Sequence, residues 1–174
     1  MCGIAGFIDS QTAPPARHKA VARMCAAMQH RGPDDAGIAD LGLATLGMRR
    51  LAIFDPAHGH QPMQTGDGRH TLVFNGAIYN FRELRRDLES AGHAFRTQCD
   101  TEVLLAAYAQ WGGGVVQRLR GMYALAVWDA TERTLFLARD PFGIKPLYFH
   151  HEPAGRLLFA SELNALRAAD ALAM

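Results

Sequence analysis

Short apolar runs, typical of β-strands, lie along the chain between groups of helices. The runs predict strands over residues 4–9, 37–46, 50–54, 72–74, 123–128, 134–138, 144–149 and 157–160. Apolar residues at helical spacing predict helices over residues 16–29, 81–91, 101–111 and 161–172. Because strands and helices are grouped and do not alternate as βαβ units, the pattern favours an α+β fold with antiparallel strands.

Residues that favour turns and helix ends mark the limits of these elements. Asn75-Gly76 follows the apolar run at 72–74 and is a dipeptide typical of tight turns. Asn80 and Glu83 have capping-box spacing at the start of the helix 81–91, and Gly92 is placed to end it. Ser161 is expected to cap the last helix.

Composition and charge narrow the class of protein. The chain has 174 residues, 49% of them hydrophobic, and a net charge of +1, which indicates one globular domain over residues 1–174. Acids and bases are interspersed, and no apolar run is long enough to span a membrane, so we expect neither a nucleic-acid nor a membrane partner. Cys2, Cys25 and Cys99 lack CxxC or zinc-ligand spacing, which favours a reducing, cytoplasmic location.

The N-terminal residues Met1-Cys2-Gly3-Ile4-Ala5-Gly6 carry the main candidate chemistry. If Met1 is removed, Cys2 carries both a thiol, with an ordinary pKa of about 8.5, and a free α-amine, with a pKa of about 7.7–8.0. One residue could then supply both a nucleophile and its base. The alternative is an ordinary cysteine near a frayed terminus, but the strand that follows would hold the terminus in place.

A nucleophile of this kind needs donors for a developing oxyanion. Asn75 has a side-chain amide and Gly76 a backbone N–H at the end of a predicted strand. Such a donor typically contributes about 10²–10³ in rate. The alternative is a plain hairpin turn, which the dipeptide alone favours.

Charged residues could bind a charged substrate near the thiol. Arg50, or its neighbour Arg49, could grip a carboxylate from the start of a predicted strand. Asp100 could bind an ammonium group, or it could simply be the N-cap of the helix that follows. His58 and His60 form an HxH pair, but a solvated loop explains them better than a metal site.

Several motifs in a fixed order extend over nearly the whole chain. They are 1–6, 31–34 (RGPD), 50–53 (RLAI), 59–63 (GHQPM), 75–80 (NGAIYN), 100–103 (DTEV), 121–123 (GMY), 138–148 (ARDPFGIKPLY) and 159–162 (FASE). In this order they resemble the glutamine-hydrolysing domain of asparagine synthetases, a class II glutamine amidotransferase domain of the N-terminal-nucleophile hydrolase type.

The resemblance implies a fold and a reaction. The fold is a four-layer αββα sandwich of two antiparallel sheets. The reaction begins when Cys2 attacks the side-chain amide of L-glutamine, forms a γ-glutamyl thioester and releases ammonia. Water then frees glutamate, and the ammonia serves asparagine synthesis from aspartate.

The resemblance also implies roles for individual residues. Asn75 and Gly76 would form the oxyanion hole. Arg50 would bind the substrate α-carboxylate, and Asp100 would help to bind its α-amino group. Backbone groups near Leu51 and Ile53 would line the pocket.

One residue departs from the family pattern. Asparagine synthetases usually have Glu where this chain has Ala77, and that Glu looks like a second anchor for the substrate ammonium. We therefore expect weaker glutamine binding with the chemistry intact. A non-catalytic binding module with the same fold is the alternative that this departure supports.

The family's second domain has no counterpart in the sequence. No SGGxDS-like phosphate loop occurs, so the ATP-dependent synthetase domain is expected to be absent, and ATP and magnesium are expected only at that domain, with no cofactor here. A synthetase domain or subunit is the expected recipient of ammonia, and a homo-oligomer is compatible with the sequence. An amidotransferase for another acceptor is the enzymatic alternative. Phe142, Ile144 and Leu147 are expected in the core, although a docking surface is the alternative.

Overall fold

The computed structural model describes residues 1–51 and 59–169. Their strands are β1 (Gly3–Ile8), β2 (Asp35–Leu41), β3 (Ala44–Arg50), β4 (Met63–Gln64), β5 (His70–Ile78), β6 (Gly121–Asp129), β7 (Thr134–Arg139), β8 (Tyr148–His151) and β9 (Leu157–Ala160). Their helices are α1 (Pro14–Ala27), α2 (Phe81–Ser90), α3 (Asp100–Trp111) and α4 (Leu163–Ala168), with a 3₁₀ turn at Gly112–Gln117. None of the described helices is long and apolar enough to cross a membrane.

The described strands form two antiparallel sheets. One has the strand order β2-β3-β1-β9-β8 and the other the order β4-β5-β6-β7. In both sheets, strands that are far apart in the chain become neighbours, as when β9 pairs with β1 through Ala5 and Ala160. The first sheet therefore places the N-terminal strand at its centre, where it is paired on both edges.

Apolar side chains form three layers around the two sheets. Alternating residues of β1 face opposite sides, so that Ile4 packs between the sheets while Ala5 and Phe7 pack under α1 and α4. In β5, Val73 likewise faces the layer between the sheets, and Leu72 faces α2 and α3. The order helix, sheet, sheet, helix confirms the predicted α+β fold and its four-layer αββα sandwich.

Close packing between the sheets depends on a glycine in β1. A Cβ atom on Gly6 would lie 2.2 Å from the ring of Phe159, which is fully buried between the sheets. Real side chains cannot approach that closely, so a larger residue would displace the ring. The small residue in β1 is therefore required by the partner strand β9.

Several predicted element limits are wrong. Asn75 and Gly76 do not form a turn, because β5 continues to Ile78 and pairs these two residues with Ala124 and Tyr123 of β6. Arg50 ends β3 instead of starting a strand, and residues 52–54 of the predicted strand lie outside the described residues. The strand predicted over residues 144–149 begins later than expected and is observed at Tyr148–His151.

The predicted helix caps also differ from those observed. α1 begins at Pro14, two residues before the predicted start, because proline is tolerated in a first helical turn. The Asn80 side chain makes no cap, since its amide donates to the Arg118 carbonyl and its oxygen accepts from Arg120 N–H. Glu162, not Ser161, is the N-cap residue of α4. Gly92 does end α2 with a positive φ of 95°.

Cys25 lies in the core, whereas two residues of the 142–147 segment that were expected there do not. Cys25 is buried between α1 and the first sheet, and burial raises its pKa to about 12. Phe142 and Ile144, in contrast, are 88% and 54% exposed. Leu147 is partly buried against the layer between the sheets. The exposed pair lies in the loop between β7 and β8.

A buried carboxylate stabilises the end of β6. Asp129 accepts hydrogen bonds from Arg69 Nε at 3.0 Å, from the N–H groups of Thr131 and Glu132, and contacts His70 Nε2 at 3.1 Å. The Arg69 hydrogen bond holds the pKa of Asp129 well below its usual value, against the opposing effect of burial. Because the folded-state pKa is lowered, this stabilisation is present above the unfolded pKa and is lost as the pH falls.

Replacing this carboxylate should destabilise the domain. Asp129→Asn is expected to lower the free energy of unfolding by about 2–3 kcal/mol at neutral pH, because hydrogen bonds to a charged group are lost. Urea denaturation measures the change. The exposed Asp87→Asn in α2 is the control and should change stability by less than about 0.5 kcal/mol. Equal stability of the two variants, or a difference that grows on acidification, would contradict this interpretation.

Candidate active site

The thiol of Cys2 lies at the start of β1 beside the end of β3. Its Sγ atom accepts a hydrogen bond from Leu51 N–H at 3.4 Å and lies 3.7 Å from the Leu51 carbonyl oxygen. The α-amine of Met1 donates to the Arg31 carbonyl at 2.9 Å, and Arg31 Nε donates to the Cys2 carbonyl at 2.9 Å. The backbone on both sides of the thiol is therefore held in place.

Asn75 presents an unpaired donor to the same region. Its side chain is buried in β5, and Nδ2 has no acceptor within residues 1–51 and 59–169. A buried donor without a partner is costly in a folded protein unless something else satisfies it. The Asn75 amide is therefore available to a ligand in the adjoining cleft.

Gly76 follows Asn75 and cannot be replaced without moving the backbone. A Cβ atom here would lie 2.2 Å from the Met122 carbonyl oxygen of β6. The absence of a side chain lets β5 and β6 approach closely while the residue borders the cleft. Close backbone approach, not a turn, is the physical reason for glycine at this position.

Arg50 reaches the cleft from the last position of β3. The side chain is buried and borders the cleft, and a Cβ atom on Gly59 would lie 2.3 Å from its Nη2 atom. The Arg49 side chain does not border the cleft. Its Nε instead donates to the Gly32 carbonyl at 2.9 Å. The structure thus places Arg50, and not Arg49, beside the thiol.

Asp100 is the first residue of α3 and not its N-cap, which is Cys99. Its Oδ2 accepts a hydrogen bond from Ile78 N–H at 3.0 Å, which joins α3 to the end of β5. Burial raises the pKa of Asp100, and hydrogen bonds from backbone N–H groups, that of Ile78 first, oppose the rise. The carboxyl therefore binds a proton at a higher pH than an ordinary aspartate.

These residues border one cleft of about 130 Å³. It collects side chains from both sheets and from the start of α3. The predicted site residues along its wall are Cys2, Arg50, Leu51, Asn75, Gly76 and Asp100. Ile53 lies outside the described residues. A thiol, an unpaired amide donor, a cation and a carboxylate in one cleft suit a zwitterionic amino acid whose side chain carries a carbonyl group.

Other residues border the cleft that the sequence analysis did not single out. Lys145 is buried there, and its Nζ donates to the Met1 sulfur at 3.4 Å. Gln61 accepts from Phe74 N–H through Oε1 at 2.6 Å and so joins the 59–62 segment to β5.

A turn stabilised by Asp140 carries Lys145. The Asp140 carboxylate accepts hydrogen bonds from the N–H groups of Ile144 and Lys145. The DPFG sequence could have indicated this turn.

No metal-binding cluster occurs in the part of the chain that the structure describes. Those residues contain no group of three or more His, Cys, Asp or Glu side chains arranged to hold an ion. His60 instead contacts Asp35, with 2.6 Å between Nδ1 and Oδ2. His58, the other histidine of the HxH pair, lies outside the described residues.

Sequence comparisons identify relatives over the whole chain. The family model described as "Glutamine amidotransferase domain" matches residues 1–174. The chain is 40% identical to "Asparagine synthetase [glutamine-hydrolyzing] 1" of Bacillus subtilis (strain 168), over 98% of this chain and 27% of that protein. It is 37% identical to "Asparagine synthetase B [glutamine-hydrolyzing]" of Escherichia coli (strain K12), over 95% of this chain and 30% of that protein. The chain thus spans less than a third of these curated relatives.

A solved structure shares the fold. The glutamine phosphoribosylpyrophosphate amidotransferase from B. subtilis, complexed with ADP and GMP, superposes with a TM-score of 0.75. At 22% identity, the match covers 97% of this chain and 44% of that one. This structural likeness supports the αββα architecture. The match of the family model to residues 1–174 rests on the sequence. On these grounds the chain belongs to the glutamine amidotransferase domain family.

Proposed function

We propose that this domain hydrolyses L-glutamine to glutamate and ammonia through a γ-glutamyl thioester on Cys2. One observation carries the proposal: the Cys2 thiol shares a cleft with the buried Nδ2 of Asn75, which has no partner among the residues that the structure describes. A nucleophile beside an unsatisfied donor is the arrangement needed for attack on a carbonyl carbon. Membership of the glutamine amidotransferase domain family supports the same reaction.

The reaction uses both functional groups of Cys2 after removal of Met1. The α-amine accepts the thiol proton, and Sγ attacks the amide carbon of the substrate side chain. The carbonyl oxygen becomes an oxyanion that accepts hydrogen bonds from Asn75 Nδ2 and Gly76 N–H. The carbon–nitrogen bond then breaks, and the leaving nitrogen takes the proton from the α-ammonium and departs as ammonia. Water adds to the thioester, glutamate leaves, and the thiol is restored.

The charges of the cleft suit the other end of glutamine. The Arg50 guanidinium binds the substrate α-carboxylate, and the Asp100 carboxylate binds the α-ammonium. Backbone groups near Leu51 and Ile53 line the pocket. Arg50 comes from β3 and Asp100 from α3, so a substrate bound by both extends across the cleft. This orients the side-chain amide towards Cys2, which lowers the entropic cost of reaction.

The ammonia serves a second domain or subunit that makes asparagine from aspartate. Support comes from the names of the curated relatives, of whose length the chain spans 27% and 30%. ATP and magnesium act at that synthetase domain, and this domain needs no cofactor of its own. The cysteine usage, which lacks a disulfide pattern, supports a cytoplasmic location for this reaction.

The central experiment is glutamate release from glutamine by the purified chain, with removal of Met1 verified by mass. We expect steady release that disappears in Cys2→Ala, because the thioester cannot form. Cys25→Ala is the matched control, since that thiol is buried outside the cleft, and should retain release. No release from correctly processed protein would reject the enzymatic function and favour a binding module. Release by Cys2→Ala would reject the thioester.

The raised pKa of Asp100 predicts a pH-dependent Michaelis constant. As the pH falls, the carboxyl takes up a proton, loses its charge and no longer attracts the substrate ammonium. The KM for glutamine should rise by up to about tenfold for each pH unit below that pKa. Steady-state kinetics on acidification measure this rise. Asp100→Asn should raise KM throughout and remove the slope; a slope that persists in this variant would contradict the assignment.

Ala77 predicts a second effect on substrate binding. This residue borders the cleft beside Gly76, and its methyl group provides no charge. Ala77→Glu should lower the KM for glutamine about tenfold with kcat nearly unchanged, because a second carboxylate contacts the substrate ammonium. Ala77→Gln is the control of similar size without the charge. Unchanged KM in Ala77→Glu, or equal gains in both variants, would show that charge at this position does not matter.

A further inference from the structure

A half-buried ion pair lies next to the N-terminal residues, and neither of its members borders the cleft. Glu162, at the junction of β9 and α4, accepts a hydrogen bond from Arg31 Nη1 through Oε1 at 3.0 Å. The same oxygen lies 3.0 Å from His30 Nε2. The Arg31 side chain is 8% exposed and that of Glu162 is 22% exposed. Arg31 belongs to the 31–34 motif and Glu162 to the 159–162 motif, and the proposed reaction gives neither residue a role.

The arginine of this pair holds the backbone of Cys2. Its Nε donates to the Cys2 carbonyl at 2.9 Å. Its own carbonyl accepts from the α-amine of Met1 at 2.9 Å, a contact that ends when Met1 is removed, so the hydrogen bond to the Cys2 carbonyl is the one that matters for the processed chain. A guanidinium is planar, so the hydrogen bond to Glu162 sets the direction in which Nε points. The Cys2 carbonyl and the Glu162 carboxylate are thus joined through one rigid group, the Arg31 guanidinium.

The residue before Glu162 holds the next part of the same strand. Ser161 N–H donates to the Ile4 carbonyl at 2.9 Å, and Ile4 N–H donates to Ser161 Oγ at 3.0 Å. Pairing of β1 with β9 begins only at Ala5, opposite Ala160. The β9–α4 junction therefore contacts the residues that precede the part of β1 paired with β9. Ser161 bonds directly to Ile4, and Glu162 contacts Cys2 through Arg31.

Arg31 depends on Glu162 for its orientation. Its Nη2 is buried without an acceptor, and Glu162 is the only carboxylate in contact with this guanidinium within residues 1–51 and 59–169. Burial raises the pKa of Glu162, but the hydrogen bonds from Arg31 and His30 lower it to below its usual value. Glu162 is therefore ionised at neutral pH. An uncompensated buried guanidinium would move towards water and release the Cys2 carbonyl.

We propose that Glu162 is a positioning residue for Cys2. It holds the Arg31 guanidinium against the Cys2 carbonyl and thereby fixes the thiol and the α-amine relative to the donors of β5. This inference rests on the proposed glutamine hydrolysis. It adds a residue that touches no substrate and acts on the rate through the placement of the nucleophile.

The chain offers a closely matched control for the test. Glu152 also lies between an arginine and a histidine, accepting from Arg156 and lying 3.4 Å from His150 Nε2. Its side chain is 29% exposed, similar to that of Glu162. Glu152 belongs to the turn between β8 and β9 and does not border the cleft. Glu152→Gln therefore removes the same chemistry without touching the N-terminus.

The first measurement compares the kinetics of the two variants in the full chain. Glu162→Gln should lower kcat for glutamate release by about 10- to 100-fold, because small displacements of reacting atoms have effects of this size. KM should change little, since Arg50 and Asp100 are unaffected. Glu152→Gln should match the wild type in both constants. An unchanged kcat in Glu162→Gln, or a change confined to KM, would overturn the inference.

The second measurement is independent of turnover. Hydrogen exchange followed by mass spectrometry should be several-fold faster for the peptide containing residues 2–8 in Glu162→Gln, with β5 and β6 unchanged. Exchange that is unchanged, or faster throughout the chain, would overturn the positioning role. If Glu162→Gln does not fold, Arg31→Lys takes its place, because an ammonium cannot reach Cys2 and Glu162 with the same geometry, and the same two criteria apply. If the wild type releases no glutamate, the proposed function fails, while the exchange data still decide this inference.

Discussion

The hydrogen bonds that immobilise the N-terminus are the constraint on which the site depends. Chain termini ordinarily fray, because few contacts hold them. Here the first residues are held by Arg31 on one side, by Leu51 at the thiol and by Ser161 at Ile4. A nucleophile that carries its own base needs this immobility, since both the thiol and the α-amine belong to the N-terminal residue itself.

The stacking of the sheets brings the remaining groups to the terminus. β1 and β3 belong to one sheet and β5 to the other, and their apolar faces meet through Ile4, Met48 and Val73. The cleft lies where the start of β1, the end of β3 and the far part of β5 come together beside α3. Its positive charge comes from Arg50 at the end of β3, and its negative charge comes from Asp100 at the start of α3. The stacking of the layers therefore sets the distance between the two charges. Mutual positioning of the charges thus depends on the core between the sheets.

Apolar periodicity predicted an α+β fold, and the family resemblance added the four-layer sandwich. The predicted site residues that the structure describes border one cleft. Apolar periodicity located strands such as β1 and β9 closely, because their alternating faces are buried in different layers. It failed at Asn75-Gly76, where the local preference for a turn is outweighed by pairing with β6. It also missed Lys145 and expected Phe142 in the core, because periodicity does not reveal which loop residues turn towards a cleft or towards solvent. The contact between Cys2 and Leu51 joins distant parts of the chain and has no local signal.

Mass spectrometry of the chain, quenched during glutamine turnover, shows whether the thioester forms on Cys2. We expect the N-terminal peptide to begin at Cys2 and to carry a glutamyl group on its sulfur, and the adduct to decay when glutamine is exhausted. Glutamate release without an adduct on Cys2, or with an adduct on Cys25 or Cys99 instead, would contradict the proposed reaction. Full activity in protein that retains Met1 would contradict the role of the α-amine.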